Sequence, residues 1–191
     1  MNICVYGASS NIIDKYYISE TERLGEAIAR HGHSLVFGGG AHGVMGACAR
    51  GAKKHNGYVL GISPSFFKVD GVLFEECDEL IYTETMRERK QLLEDRSDAF
   101  IVAPGGIGTF EEFFEVFTLK QLARHNKPIV LFNPNGFYDG MLKLLSDAEK
   151  QGFIRHKTLE LYECFTEPEE IINYIENYVP QEINIVETRG V

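Results

Sequence analysis

The sequence predicts an α/β domain built on a doubly wound, mostly parallel sheet flanked by helices. Three observations carry this. Short apolar runs alternate with helix-length segments along all 191 residues. Most of those runs, such as Ala99-Phe100-Ile101-Val102-Ala103, are continuous rather than alternating, the pattern of strands covered on both faces. Glycine turns follow three of them, after Tyr6, Phe37 and Ala103. In such a sheet, ligands bind beyond the carboxyl ends of the strands.

In order, the first strand is Asn2 to Tyr6, ending at Gly7-Ala8-Ser9-Ser10. A helix from about Asp14 to Arg30 carries Tyr17, Leu24 and Ile28 in a helical stripe, and Gly32 stops it. Ser34 to Phe37 is the second strand; it runs through Gly38-Gly39-Gly40 and Gly43 into a helix reaching about Lys54. Tyr58 to Ile62 is the third strand, closed by Ser63-Pro64, and Ser65 to Cys77 shows no clear period. Asp78 to Tyr82 is a fourth strand before a helix from Met86 to Arg96, and Ala99 to Ala103 is the fifth. The next helix runs to roughly Arg124; then come a strand at Pro128 to Phe132 and a helix to Lys150. A last strand at Glu160 to Phe165 and a last helix at Glu167 to Tyr178 complete one nucleotide-binding domain, residues 1–180. Residues 181–191 read as a C-terminal arm or frayed end.

The totals narrow the function. A net charge of −9 and a pI near 5.2 leave no basic patch or arm for nucleic acid or an anionic membrane. No apolar run approaches the ~20 residues of a membrane-spanning helix. The chain opens on a strand without a basic, apolar leader, so a cytoplasmic location is expected. Cys4, Cys48, Cys77 and Cys164 form no CxxC pair and no histidine pattern resembles HExxH, so no metal site is expected.

The stretch that organises the rest is Pro104-Gly105-Gly106-Ile107-Gly108-Thr109-Phe110-Glu111-Glu112. A strand that stops, a glycine turn and a helix start aim unpaired backbone N–H groups at one point, with the helix dipole behind them. Such a device holds an anion, here read as a 5′-phosphate, with Glu112 working on the neighbouring sugar. A structural alternative stands beside this: Thr109-x-x-Glu112 also spells a capping box. Gly38, Gly40 and Gly43 give GxGxxG, but the strand that follows ends in Ile62-Ser63 and not in the acid that binds a dinucleotide ribose. An NAD-dependent oxidoreductase is thereby disfavoured, and GxxxxGK[ST] does not occur.

At roughly 100° per residue, Phe110, Phe113, Phe114 and Phe117 form one stripe, with Val116, Leu119, Ala123 and Glu112 on the opposite side. Such a helix packs twice, against its own sheet and against a neighbouring element or a second subunit. On the helix at Met86, Arg89 and Lys90 share a side with Met86 and Leu93. They either snorkel across the core edge or form a cationic wall facing Glu112. Thr118 either lines the same pocket or lies at the surface.

Pro104 to Glu112 fits PGGxGTxxE, Met86-Arg87-Glu88-Arg89-Lys90 fits M-x-x-R-K, and Gly38 to Gly46 is similar to GGG-x-x-G-x-MG. Together these resemble the LOG ("Lonely Guy") family, often labelled "possible lysine decarboxylase", from Asn2 to about Phe153. The resemblance implies a Rossmann-like homodimer without a cofactor. By the same resemblance it would hydrolyse the N-glycosidic bond of adenosine or cytokinin riboside 5′-monophosphates. The catalytic pair would be Arg89 and Glu112, and substrate contacts would include Lys90, Gly106, Ile107, Gly108, Thr109, Phe110, Glu111 and Thr118. The first glycine turn reads Gly7-Ala8-Ser9-Ser10 where many members have a CGSS-like turn. Phe66 to Glu76 has no legible counterpart of the acidic pocket residue of some plant members. Lysine decarboxylation needs a Schiff-base lysine on pyridoxal phosphate, and no lysine stands in a recognisable setting for it. A non-catalytic nucleotide or phosphorylated-cofactor carrier on the same scaffold is the alternative function.

Overall fold

In the computed structural model, residues 1–180 and 182–189 are described; 181, 190 and 191 of the expected arm lie outside them. Seven strands form one sheet: β1 (Asn2–Tyr6), β2 (Ser34–Phe37), β3 (Val59–Pro64), β4 (Glu79–Thr83), β5 (Ala99–Val102), β6 (Ile129–Phe132) and β7 (Glu163–Phe165). Their order is β4-β3-β2-β1-β5-β6-β7, and every pair is parallel. The helices, in chain order, are α1 (Lys15–Arg30) after β1, α2 (Gly43–Lys54) after β2, α3 (Met86–Asp95) after β4, α4 (Ile107–Gln121) after β5, α5 (Asp139–Lys150) and α6 (His156–Leu159) after β6, and α7 (Pro168–Glu176) and α8 (Ile185–Arg189) after β7.

Two cores cover the two faces. Side chains alternate along β1, so Ile3 and Val5 join Leu24 and Ile28 of α1, Val44 and Cys48 of α2, and Ile171 and Ile175 of α7. Cys4 and Tyr6 point the other way, into a layer with Leu93 of α3 and Phe113, Val116 and Phe117 of α4. The expected doubly wound sheet is therefore present, and all of its pairs are parallel. After β1 the chain winds outward through β2, β3 and β4, then returns to β1's other edge with β5. The order reverses between β1 and β5, the place where an open parallel sheet leaves a crevice.

Three local expectations need correction. The central helix stops at Gln121, because Ala123 turns back at φ 53° and the Arg124 N–H reaches the Leu119 carbonyl at 2.9 Å. The last strand is only Glu163–Phe165, since Glu160 to Tyr162 form the turn that closes α6. The tail is no free arm over Ile185–Arg189: α8 is fastened where the Thr158 hydroxyl donates to the Thr188 carbonyl at 2.7 Å.

Candidate active site

The three glycine loops meet at the β1/β5 crevice and are tied by their backbones. The Ala8 N–H donates to the Pro104 carbonyl at 3.2 Å, and the Met45 N–H to the Ala8 carbonyl at 3.1 Å. Gly43, at φ 59°, lets α2 approach the first loop; a Cβ there would stand 2.6 Å from the Ala8 carbonyl oxygen. The segment that was illegible in sequence closes one side. A Gly40–Leu73 bridge and bonds from Ala41 N–H to Val72 O and Phe74 N–H to Gly39 O lay it along the second glycine loop. The result is a cleft of about 430 Å³, a volume that suits a small ligand. Another hollow, of about 300 Å³, lies beside α8 and includes none of the glycine loops.

One end of the cleft is the start of α4. Gly106 is the N-cap and makes no side-chain cap bond, so the N–H groups of the first turn have no acceptor within the helix. A Cβ at Gly106 or Gly108 would touch no protein atom within 4 Å. Packing does not demand glycine at these two positions, and the space they leave belongs to the cleft. Thr109 is buried beside them, and Ser9 and Ser10 face them from the first loop.

Glu112 and Arg89 form the floor. Because α4 begins at Ile107, Thr109 is not its N-cap, and the capping-box reading of Thr109 and Glu112 fails. The capping box belongs to α3 instead. There the Thr85 hydroxyl accepts from the Glu88 N–H at 3.2 Å, while the Glu88 carboxylate accepts from the Thr85 N–H at 3.1 Å. That fixed start aims Arg89 inward. Its Nη1 donates to Glu112 Oε1 at 2.7 Å and its Nε to the Ile62 carbonyl at 3.2 Å. Arg89 is 7% and Glu112 8% exposed, so the guanidinium does not snorkel. Gly38 makes room for it: a Cβ there would stand 2.1 Å from Arg89 Nη2.

Burial pushes the Glu112 carboxyl above its ordinary range, and Arg89 pulls against that shift. Beneath lie Tyr6 and Cys4. Burial lifts the Tyr6 phenol well up and the Cys4 thiol to about 12, so both are neutral at ordinary pH.

Of the residues expected at the site, Arg89, Gly106, Gly108, Thr109 and Glu112 line the cleft together. The others lie off its lining. Lys90 Nζ is paired with Glu111, and with Glu115 at 2.9 Å, which bridges the two like-charged carboxylates of α4. Ile107 is exposed, Phe110 packs edge-on against Tyr138, and Thr118 is exposed. Ser9, Ser10, His42 and Ser63 also line the cleft and were not expected there by name. The convergence of glycine turns was the one sequence signal pointing to the first three. Among the described residues no histidine, cysteine, aspartate and glutamate side chains are grouped so as to hold a metal ion.

Residues 45–175 match the family model described as "Possible lysine decarboxylase". A "Cytokinin riboside 5'-monophosphate phosphoribohydrolase" of Mycobacterium tuberculosis is 43% identical over 137 residues, covering 72% of this chain and 73% of the relative. The chain belongs to the LOG family. A second LOG-family relative, "Cytokinin riboside 5'-monophosphate phosphoribohydrolase LOG2" of Arabidopsis thaliana, is 34% identical over 96% of this chain and 86% of its own length. Among solved structures, the molybdenum cofactor binding protein of Rippkaea orientalis superposes with a TM-score of 0.71 at 25% identity, over 92% of this chain and 94% of that one. The Moco carrier protein of Chlamydomonas reinhardtii, with a TM-score of 0.68 at 22% identity over 92% of this chain and 94% of its own, shares the fold. The LOG-family motifs at Met86 to Lys90 and Pro104 to Glu112 are thus the two segments that meet in the buried Arg89–Glu112 pair.

Proposed function

We propose that this LOG-family protein hydrolyses the N-glycosidic bond of adenosine or cytokinin riboside 5′-monophosphates, releasing the free base and ribose 5-phosphate. The observation that carries the reading is the buried Arg89–Glu112 pair on the floor of a cleft with an open helix N-terminus at one end. The 5′-phosphate sits on the N–H groups of the Gly106 to Thr109 turn, where backbone dipoles favour an anion. Glu112 then faces the sugar. Its carboxylate hydrogen-bonds the ribose hydroxyls and stabilises the positive charge that grows on the ring as the bond to the base stretches. Water adds at the anomeric carbon, the carbon–nitrogen bond breaks with its electron pair going to the base, and the water's proton ends on that base.

Arg89 keeps its proton throughout. It holds Glu112 in place and places positive charge near the departing base. The family label of decarboxylase gains no support from the cleft, whose described lining includes no lysine. We further place the protein in the cytoplasm as a homodimer. Ile107 and Phe114 of α4 and Leu144 of α5 are exposed apolar side chains on helices that cover one face of the sheet, which supports a second copy there.

The test is direct. Purified protein incubated with AMP should yield adenine and ribose 5-phosphate by chromatography. Glu112→Ala should abolish turnover with an unchanged circular dichroism spectrum, and normal rates in that variant would refute the assignment. The fold shared with the Rippkaea orientalis cofactor-binding protein favours a second reading, a carrier. A carrier would bind AMP and return it intact after hours.

A further inference from the structure

Among the described residues, Ser63 Oγ is the buried side-chain polar atom that has no hydrogen-bond partner. Ser63 is fully buried, yet it lines the cleft. Buried hydroxyls are nearly always paired, and an unpaired one calls for an explanation. Ser63 also occupies the place where a dinucleotide-binding sheet would carry an acid, at the end of the strand that follows the GxGxxG turn.

Its position relative to the anion cradle fixes what it could meet. Along the sheet the order is β3-β2-β1-β5. Ser63 at the end of β3 is therefore three strand spacings, about 14 Å, from the end of β5, where the cradle begins. Arg89 and Glu112 lie between, with Arg89 reaching across to the Ile62 carbonyl. A mononucleotide held by its phosphate at Gly106 to Thr109, with its sugar at Glu112, extends its base toward β3. Leu73 stands with Ser63 beside Gly39, and Met45, Val72 and Phe67 are further apolar residues of the cleft lining. They suit the faces of a purine and offer nothing to its polar edge.

We infer that Ser63 reads the amino edge of a 6-aminopurine, its Oγ accepting from the 6-amino group and its hydroxyl proton going to the adjacent ring nitrogen. An acid could only accept there, whereas a hydroxyl both donates and accepts. The adenine edge presents a donor beside an acceptor, which matches. This rests on the nucleotide reading above and adds to it the residue that reads the base.

The experiment compares wild type and Ser63→Ala on AMP, on purine riboside 5′-monophosphate, which lacks the 6-amino group, and on ribose 5-phosphate, which lacks the base. Two readouts are taken: kcat/KM, and Kd by calorimetry in a Glu112→Gln background. Ser63→Ala should weaken AMP about tenfold, the loss typical of one buried hydrogen bond. Purine riboside 5′-monophosphate, which keeps the ring nitrogen and lacks the 6-amino group, should lose several-fold less than AMP, and ribose 5-phosphate nothing at all. The melting temperature should stay equal or rise, because the variant deletes an unpaired buried hydroxyl. Equal losses on both nucleotides, or no loss on AMP, would overturn the inference. AMP that binds but is never cleaved by wild type defeats the hydrolase reading alone, and the Kd ratio still decides Ser63. AMP that does not bind defeats both.

Discussion

The Arg89 guanidinium and the Glu112 carboxylate come from helices that follow neighbouring stretches of the chain and meet at 2.7 Å, out of water, beneath an open cleft. Such a pair is an expensive way to stabilise a fold. Desolvating both charges offsets much of their attraction, while removing one partner leaves the other uncompensated. Arg89→Ala should accordingly cost about 3–5 kcal/mol. The double variant Arg89→Met/Glu112→Leu should recover most of that in urea denaturation and still show no turnover of AMP. A double variant as unstable as the single one would mean that the pair is retained for stability.

The ionisation of Glu112 predicts how the reaction depends on pH. Burial lifts its carboxyl and Arg89 restrains the shift, so the acid limb of kcat/KM should lie above the ordinary glutamate value of about 4.3. The stability contribution runs the opposite way. A carboxyl whose pKa is raised on folding favours the folded state below its unfolded value, and that contribution is lost as pH rises through the folded value. A pH–rate profile beside a pH–stability profile checks both signs at once.

Gly38 is the position where one methyl group should separate binding from catalysis. Its Cβ would press on Arg89 Nη2 at 2.1 Å, and the guanidinium cannot swing freely because Nε and Nη1 are held by Ile62 and Glu112. Gly38→Ala should lower kcat on AMP by on the order of 10²-fold, the scale of a small misplacement of a catalytic group. Ribose 5-phosphate, whose phosphate stays on the cradle at Gly106, should lose far less affinity by calorimetry than the enzyme loses in kcat.

The sheet and the cradle were legible because both are written in local pattern. Continuous apolar runs specify strands covered on two faces, and a strand–glycine–helix junction specifies a helix start with unpaired N–H groups, the arrangement that suits an anion. Helix faces alone offered Arg89 only as one of two cations that could wall the site opposite Glu112, and the pair itself was named by the family resemblance, since the bond spans 23 positions and depends on how α3 and α4 dock. Local pattern misled at Thr109-x-x-Glu112. The same spelling occurs at Thr85-x-x-Glu88, where it is a true capping box. What separates them is the glycine pair before Ile107, which lets the helix start there, three residues ahead of where a threonine cap would place it. Lys90 shared a helix face with Arg89 but ended outside the cleft, drawn to the carboxylates of Glu111 and Glu115. The wall from Phe67 to Leu73 was silent because its order comes from backbone bonds to the Gly39 to Ala41 loop, not from a periodicity of its own.

Lys120 offers a prediction away from the cleft. It is only 2% exposed on the inner side of α4, with its ammonium 4.9 Å from the centre of the Tyr178 ring. Burial pulls its pKa down to about 8, with Glu163 opposing the shift. A lysine whose pKa is lowered on folding binds its proton less tightly in the folded chain than in the unfolded one. The charge therefore weakens the fold at neutral pH, and the penalty fades as pH climbs from 8 toward the ordinary value of about 10.4. Lys120→Met fills the same slot without the charge and keeps a favourable contact with the ring. The variant should exceed wild type at pH 7 by on the order of 1–3 kcal/mol in urea denaturation. That advantage should shrink by pH 10. An advantage equal at both pH values would assign the gain to packing alone, and a less stable variant at pH 7 would show that the ammonium's contact with Tyr178 outweighs its desolvation.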